Sequence, residues 1–230
     1  MRVLPILFNT EMVQAIIDDR KTVTRRLVKP RPIWVEQDKK YRAFPSAWYW
    51  TDRIRAVEDY QLFAQMLKVE AAPYNIGDIL YVRETWDKLP DGYHYRASEE
   101  RPDLFGWCPS LHMPKEAARN FLRVMDVRAE RLQSEFFKRE SAIFELRAEG
   151  IDIGETCREC ISTYGCPCCN DEDTEGGSEC GMLDDVRDDF ARLWDGVVKP
   201  AFLDIYGWAA NPWVFRVEFE RCEKPEGFAT

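Results

Sequence analysis

The stretch DRKTVTRR, residues 19–26, gathers basic charge in a chain whose formal net charge is −9. Residues 20–31 contain six basic residues and no acidic one. Thr22 and Thr24 lie between the basic residues of this stretch. Threonine is β-branched, and β-branched residues favour an extended strand. A charged run is most often only a solvated face. The stretch therefore predicts a strand that carries basic and hydroxyl side chains, and its neighbours must decide whether these side chains bind anything.

The residues before this stretch predict a short helix over Thr10–Ile17. Thr10 is a plausible N-cap, and apolar residues recur from Met12 to Ile17 at helical spacing. Thr22–Val28 follows as the strand, and the Lys29-Pro30 step ends it because the residue before proline avoids the helical region.

The remainder of the chain predicts a mixed set of elements rather than alternating βαβ units. Asp91-Gly92 is a hairpin turn signal, and Gly150 is a C-terminal helix cap. This order favours a small α+β barrel. The other expected elements are helices at 56–69, 134–148 and 183–195, and strands at 79–86, 93–97, 120–132 and 212–222.

Composition narrows the class of protein. The chain has 230 residues, 45% of them hydrophobic, which fits one large domain. Residues 171–189 hold nine acidic residues and one basic residue, so this segment supplies most of the net charge. That distribution argues against a protein that coats nucleic acid non-specifically. We find no apolar run long enough to span a membrane and no signal-peptide layout at the start, and we expect a cytoplasmic protein without membrane partners.

Four pieces of sequence, in order, resemble the ASCH domain, a relative of the PUA-type β-barrel. In place of the glycine that the family usually has two residues before its lysine, this chain has Asp19, which tolerates a left-handed backbone better than most residues. The combination is particularly similar to ASCH proteins of phages and prophages. The pieces are KTVTRR at 21–26, GDILYV at 77–82, RL at 131–132 leading into AEG at 148–150, and WVFRVEFERC at 213–222, with VRETW at 82–86 and NPWV at 211–214.

The resemblance implies one α+β domain over 1–230, a PUA/ASCH-like β-pseudobarrel with flanking helices. The segment 30–75 is interpreted as an aromatic-rich insertion, and 152–182 as a Cys-rich insertion that forms a metal knuckle. The tryptophans of the first insertion, Trp34 and Trp48 among them, are expected to form a small satellite core, with stacking on a nucleobase as the alternative.

The resemblance also implies a site. Some ASCH proteins are amidohydrolases that deacylate N4-acetylcytidine, and their motif falls here on Lys21 as proton acceptor, Thr24 as nucleophile and Glu149 as proton donor. Such a lysine needs a lowered pKa. A protonated Lys21 that binds a carbonyl or phosphate oxygen is the alternative. We assign ligand binding to Thr22, Arg25, Arg26, Arg83 and Glu84.

Glu84 requires a separate comment. Strand alternation puts it on the same face as Leu80 and Val82, where a buried charge needs a partner. We expect that partner to be one of the arginines of residues 20–26.

Six of the eight cysteines lie between 157 and 180. Two CxxC pairs can hold a structural zinc ion through four thiolates. The segment is rich in acidic residues and glycine, so we expect it to fold only when a metal ion is bound. An iron–sulfur cluster is the alternative. The expected zinc ligands are Cys157, Cys160, Cys166 and Cys169, with Cys168 and Cys180 as possible replacements.

Three functions follow from these observations. The first is binding of a nucleobase, a nucleoside or RNA in a basic cleft, as a phage or prophage accessory protein. The second is hydrolysis of an acylated cytidine. The third is binding of a host protein through the acidic face of the zinc knuckle.

Overall fold

The structure is a computed structural model that describes residues 1–35, 47–50, 57–99, 106–134, 139–151 and 181–228. It confirms the mixed α+β class. The strands are β1 (Val3–Leu7), β2 (Val23–Leu27), β3 (Ile33–Val35), β4 (Ala47–Tyr49), β5 (Ile79–Arg83), β6 (Trp86–Leu89), β7 (Gly92–Tyr95), β8 (Phe121–Arg131) and β9 (Trp213–Cys222). The helices are α1 (Thr10–Ile17), α2 (Tyr60–Ala71), α3 (Arg139–Ala148), α4 (Gly181–Val197) and α5 (Leu203–Tyr206).

Five strands form the central sheet, in the order β1-β5-β8-β9-β2. Strands β1 and β5 are parallel, and the other pairs are antiparallel. Because α1 connects β1 to β2, it carries the chain from one edge of the sheet to the other. The DG turn predicted at Asp91-Gly92 joins β6 and β7 into a separate hairpin.

Helix α1 has the predicted bounds, but Asn9 caps it instead of Thr10. The side chain of Asn9 accepts a hydrogen bond from the backbone N–H of Met12. The helix ends in a left-handed residue, Asp19, with φ of 57°. This turn lets the backbone N–H groups of Arg20 and Lys21 both donate to the carbonyl of Ala15. Aspartate thus takes the conformation that glycine would otherwise supply.

One face of the sheet carries the main hydrophobic core. Alternate residues of β9, such as Trp213 and Val217, point into it together with Val127 of β8. Phe63 and Leu67 of α2 are fully buried in the same core, and Trp48 packs against it. The satellite core expected for the aromatic insertion is therefore wrong for these residues, because the helix and the tryptophan cover the sheet itself.

The opposite face carries a second, smaller core. Leu146 of α3, Trp194 of α4 and Val214 of β9 are buried together. The helix predicted for residues 183–195 buries Phe190 and Trp194 in this core, whereas Leu193 is 38% exposed. Helix α3 thus lies over β2 and β9, and its C-terminal end reaches the start of β2.

The described strands form an open sheet rather than a closed barrel, yet its two edges meet. The guanidinium of Arg26, in edge strand β2, donates a hydrogen bond of 2.9 Å to the carbonyl of Leu7, in edge strand β1. We call the place where these edges meet the seam. A side chain, rather than a backbone ladder, bridges the sheet there. No helix of the described residues has the length and apolar composition that a membrane crossing requires.

Candidate functional site

The site begins at Lys21, which precedes β2 at the seam. An isolated backbone bridge pairs Lys21 with Glu149, and the N–H of Thr22 donates to the carbonyl of Ala148 at 2.8 Å. Gly150, with φ of 87°, makes this possible. A Cβ built on it would lie 2.8 Å from the Cβ of Ala15 and 3.1 Å from that of Lys21. Glycine therefore allows the end of α3 to reach both α1 and Lys21.

The Lys21 amine is buried and fully hydrogen-bonded. It donates to the carbonyl of Val23 at 2.7 Å, to the carbonyl of Glu149 at 2.7 Å and to Oε2 of Glu149 at 2.8 Å. Three acceptors match the three donors of a protonated amine. Burial lowers the pKa of Lys21, and the attraction of Glu149 acts in the opposite direction. Two of the three groups that the resemblance implies for the site, the Lys21 amine and the Glu149 carboxylate, are therefore in contact.

Arg25 points to the α3 side of β2, where its guanidinium forms three ion pairs. Its guanidinium contacts Glu149 at 2.8 Å, Glu145 at 2.6 Å and Glu130 at 3.1 Å. The Arg25 side chain is only 1% exposed. Arg25 therefore cross-links α3 to the sheet, and little of it remains accessible to a ligand.

Arg216 of β9 extends this cluster. It lies opposite Arg25 in the strand register, and it holds both carboxylate oxygens of Glu145, at 2.9 and 3.0 Å. Although burial acts to raise it, the hydrogen bonds from Arg216 and the charge of Arg25 hold the pKa of Glu145 below its usual value. We name the buried network as a whole the ion-pair cluster. Its members are Lys21, Arg25, Glu130, Glu145, Glu149 and Arg216, three cations and three anions.

Thr24 lies on the other face of β2. It pairs with Val217, a residue of the main core, and only 5% of it is exposed. Thr22 is exposed, and its backbone bonds tie β2 to Ala148 and Phe219. The hydroxyl predicted as nucleophile is thus held at the core face, next in alternation to Arg26.

Arg26 differs from its neighbour because it remains partly unsatisfied. Its side chain bridges the seam through Leu7, but its Nε is buried without a hydrogen-bond partner among the described residues. Burial lowers the pKa of Arg26, with Tyr74 and Glu149 acting in the opposite direction. A buried donor without an acceptor is uncommon in folded proteins, and an ordered water or ion is one way in which such a donor is satisfied.

Aromatic rings border this part of the seam. The ring of Phe8 lies 5.2 Å from the guanidinium of Arg26 and 5.6 Å from the amine of Lys21. Tyr74 donates a long hydrogen bond of 3.4 Å to the carbonyl of Pro5, and burial raises its pKa. We use the name seam site for Phe8, Lys21, Thr24, Arg26, Tyr74 and Glu149.

Arg83 and Glu84 are not at the seam site. Arg83 donates to the carbonyls of Met113 and Leu111. Glu84 is fully buried, as its alternation predicts, but the expected partner is wrong. Arg119 binds both oxygens of Glu84, at 2.8 and 2.9 Å, and Asn120 adds a third contact. The partner comes from the segment just before β8, the neighbouring strand, which pairs with β5.

Sequence reasoning missed five members of the seam site and the ion-pair cluster, and Tyr74, which follows α2, carried no signal. Glu145 and Glu130 are acids within a helix and a strand, with no signal that they turn inward. Arg216 interrupts an apolar strand, which was a usable signal of a buried partner. Phe8 lies just outside β1 and looked like ordinary core.

The four proposed zinc ligands, Cys157, Cys160, Cys166 and Cys169, lie outside the described residues, as do Cys168 and Cys180. The acidic residues 171–179 lie there as well. The zinc prediction therefore stays a prediction. Among the residues that are described, no group of three or more His, Cys, Asp or Glu side chains is arranged to hold a metal ion.

Comparison with known proteins adds no relative: no protein-family model, no curated protein and no solved structure matches the chain.

Proposed function

We propose that this protein binds a nucleobase or nucleoside, free or within RNA, at the seam site. The observation that supports it most is Arg26, whose buried Nε has no acceptor among the described residues. Base edges offer carbonyl and ring-nitrogen acceptors that a guanidinium recognises. Phe8 and Tyr74 supply apolar surface beside it.

The same geometry disfavours a broad basic surface for nucleic acid. Lys21 and Arg25 form buried ion pairs with Glu149, Glu145 and Glu130. A protein that holds many phosphates needs accessible cations. Recognition of one base or nucleoside by few groups fits the accessible charge better than non-specific binding along a strand.

Calorimetric titration with cytidine and with N4-acetylcytidine tests this proposal. We expect saturable binding that weakens about tenfold or more in Arg26→Gln, because a buried hydrogen bond to a charged group contributes about 1.5–3 kcal/mol. Arg20→Gln is the matched control, since Arg20 is exposed and pairs with Asp18. Equal affinity in the two variants, or no binding of either nucleoside, would refute the proposal.

A second candidate function is hydrolysis of an N4-acylated cytidine. The 2.8 Å contact between Lys21 and Glu149 favours it, because the ASCH amidohydrolases that the sequence resembles use such a pair. For Lys21 to act as base it must first lose a proton, and burial lowers its pKa in that direction. Its three occupied donors work against this step, so a bound substrate would have to displace at least one of them.

Release of cytidine and acetate from N4-acetylcytidine tests the second candidate. Lys21→Ala and Thr24→Ala should each abolish the release. Because Lys21 is buried, the folded state of each variant is checked by circular dichroism. Activity that survives in both folded variants, or no release by the unmodified protein, would exclude hydrolysis without excluding nucleoside binding.

The ASCH assignment itself and a phage or prophage accessory role belong to this proposal. Supporting points are the order of strands and helices around α1, and the seam that a side chain bridges where a pseudobarrel would close. Binding of a host protein through the acidic segment is a further possibility that the sequence raises, and it would be tested by affinity purification from host lysate.

Structural zinc in the segment 152–182 is proposed from the two CxxC pairs alone. Elemental analysis of protein prepared without chelator should give about one zinc ion per chain, as expected for four thiolates around one ion. Iron in its place would support the cluster alternative. Less than about half an equivalent of either metal would refute the metal site.

A further inference from the structure

A cavity lies beyond the C-terminal end of β2, next to the residues that follow this strand. It has a volume of about 840 Å³, within the usual range for ligand pockets. None of the residues of the seam site lines it. The lining residues are Arg31, Pro32, Ile33, Trp34, Trp48, Glu58, Tyr60, Arg131 and Asn211. We call it the aromatic cavity.

The aromatic wall of this cavity rests on the core. Trp48 stacks on Phe63 with ring centroids 5.6 Å apart, and it meets Trp213 edge-on at 5.4 Å. Trp34 contacts Trp48 at 5.4 Å and yet remains 43% exposed. One indole is thus held rigidly, and a second stands beside it with much of its surface open. A preformed aromatic wall of this kind is suited to a flat ring.

Two arginines give the cavity positive charge. The guanidinium of Arg131 lies 5.6 Å from the Trp48 ring and donates to the carbonyl of Ala210 at 3.3 Å. Burial and the charge of nearby Arg31 lower the pKa of Arg131. Within the described part of the chain, neither arginine forms an ion pair with a carboxylate. Among the described residues of the lining, Glu58 is the single acid, and the two arginines exceed it in charge.

We infer that the aromatic cavity binds a nucleotide, with the base against Trp34 and Trp48 and the phosphate between Arg31 and Arg131. A nucleotide satisfies both features at once, because it joins a flat heteroaromatic ring to a dianion. Two neighbouring guanidinium groups suit a phosphate in charge and in hydrogen-bond geometry. An uncharged aromatic compound would leave the two arginines unneutralised, and inorganic phosphate would leave the aromatic wall exposed.

This site is independent of the seam site, so the experiment must separate the two. Calorimetric titration with AMP is carried out on the unmodified protein and on Arg26→Gln, in which the seam site is impaired. AMP should bind both proteins with similar affinity. Adenosine and inorganic phosphate, titrated separately, should each bind at least about fivefold more weakly than AMP, as expected when stacking or the charge contacts are lost.

Two variants test the assignment of the residues. Trp34→Ala should weaken AMP binding by about five- to a hundredfold, the range for loss of a base–aromatic stack. Arg31→Gln should weaken it as well and reduce its dependence on salt. The controls are Phe202→Ala, which removes another exposed aromatic ring, and Arg192→Gln, which removes an exposed charge.

The inference is overturned if AMP does not bind at millimolar concentration, or if Trp34→Ala and Arg31→Gln bind AMP as the controls do. It is also overturned if AMP binding disappears in Arg26→Gln, because the nucleotide would then occupy the seam site. A short single-stranded RNA, titrated in parallel, distinguishes a free nucleotide from one within a strand. Equal affinity for AMP and the RNA per site indicates that a single nucleotide is recognised.

Discussion

Arg25 and Arg26 are neighbours in β2, but they lie on opposite faces of the strand and differ in how fully their guanidinium groups are paired. Toward α3, Arg25 is 1% exposed and surrounded by three carboxylates. Toward the main core, Arg26 bridges the seam through one carbonyl and leaves its Nε without a partner among the described residues. The difference teaches that the basic stretch is not uniform. The charge of Arg25 is neutralised inside the protein, whereas the guanidinium of Arg26 keeps a buried donor that no described residue satisfies.

The largest effect should come from Arg25→Met. Removal of this guanidinium leaves Glu130, Glu145 and Glu149 with unbalanced buried charge, and breaking a buried ion pair costs about 3–5 kcal/mol. Urea unfolding should show this loss in the free energy of unfolding. Arg20→Met, an exposed neighbour, should cost less than about 1 kcal/mol. A loss below about 1 kcal/mol in Arg25→Met would mean that the ion-pair cluster does not hold α3.

A double-mutant cycle sharpens the comparison at Lys21. Each single change, Lys21→Met and Glu149→Gln, leaves a buried partner unpaired, so each should destabilise the protein by about 2–3 kcal/mol. The double variant should lose less than the sum, with a coupling of about 1–3 kcal/mol. Additive losses would indicate that the 2.8 Å contact between them contributes little.

Gly150→Ala tests the approach of α3 to α1. The added Cβ would lie 2.8 Å from the Cβ of Ala15, and the residue would keep a left-handed φ of 87°. We expect a loss of stability of about 1–3 kcal/mol, from the crowding and the strained backbone together. Gly196→Ala is the control, because no atom lies within 4 Å of its added Cβ. Equal stability of the two variants would contradict the close approach.

Acid should weaken the ion-pair cluster through Glu145. Its pKa in the folded protein lies below the ordinary value of 4.5, so its contribution is present above pH 4.5 and is lost as pH falls through the folded value. Asp78, far from the cluster, behaves alike, with a pKa lowered to about 2 mainly by the hydrogen bonds from Arg2 against the opposing effect of burial.

Glu145→Gln should therefore be less stable than the unmodified protein at pH 7, and its stability should fall less steeply below pH 4.5. Asp78→Asn provides the comparison, because it removes a contribution outside the cluster. Unfolding midpoints measured between pH 7 and pH 3 check this. An unchanged acid dependence in Glu145→Gln would show that the Glu145 carboxylate is not held by Arg216 and Arg25.

Local signals in the sequence were sufficient for most elements but not for their partners. Apolar spacing gave α1 its bounds, and the DG turn located the β6–β7 hairpin. The contact between Lys21 and Glu149 spans 128 positions, and it was expected only through the family resemblance. The ion-pair cluster was not expected, because Glu145 looks like a solvent-facing helix residue until the helix is docked on the sheet.

For Glu84, too, the sequence predicted the burial of the side chain but not its partner. Alternation along β5 correctly predicted that it is buried, because period-two patterning depends only on the strand itself. Its partner, Arg119, depends on which segment leads into the neighbouring strand, and the sequence carries no signal for that choice. The Nε of Arg26, which no described residue accepts from, is likewise a property of the assembled seam.

Arg26→Gln tests the central claim most directly, when its stability and its affinity for cytidine are measured on the same sample. The account predicts a free energy of unfolding lowered by about 1–2 kcal/mol, since one carbonyl hydrogen bond and the contact with the Phe8 ring are lost, together with cytidine binding weakened at least about tenfold. Stability lost to the extent expected for Arg25→Met, with cytidine affinity unchanged, would contradict it: both faces of β2 would then be structural.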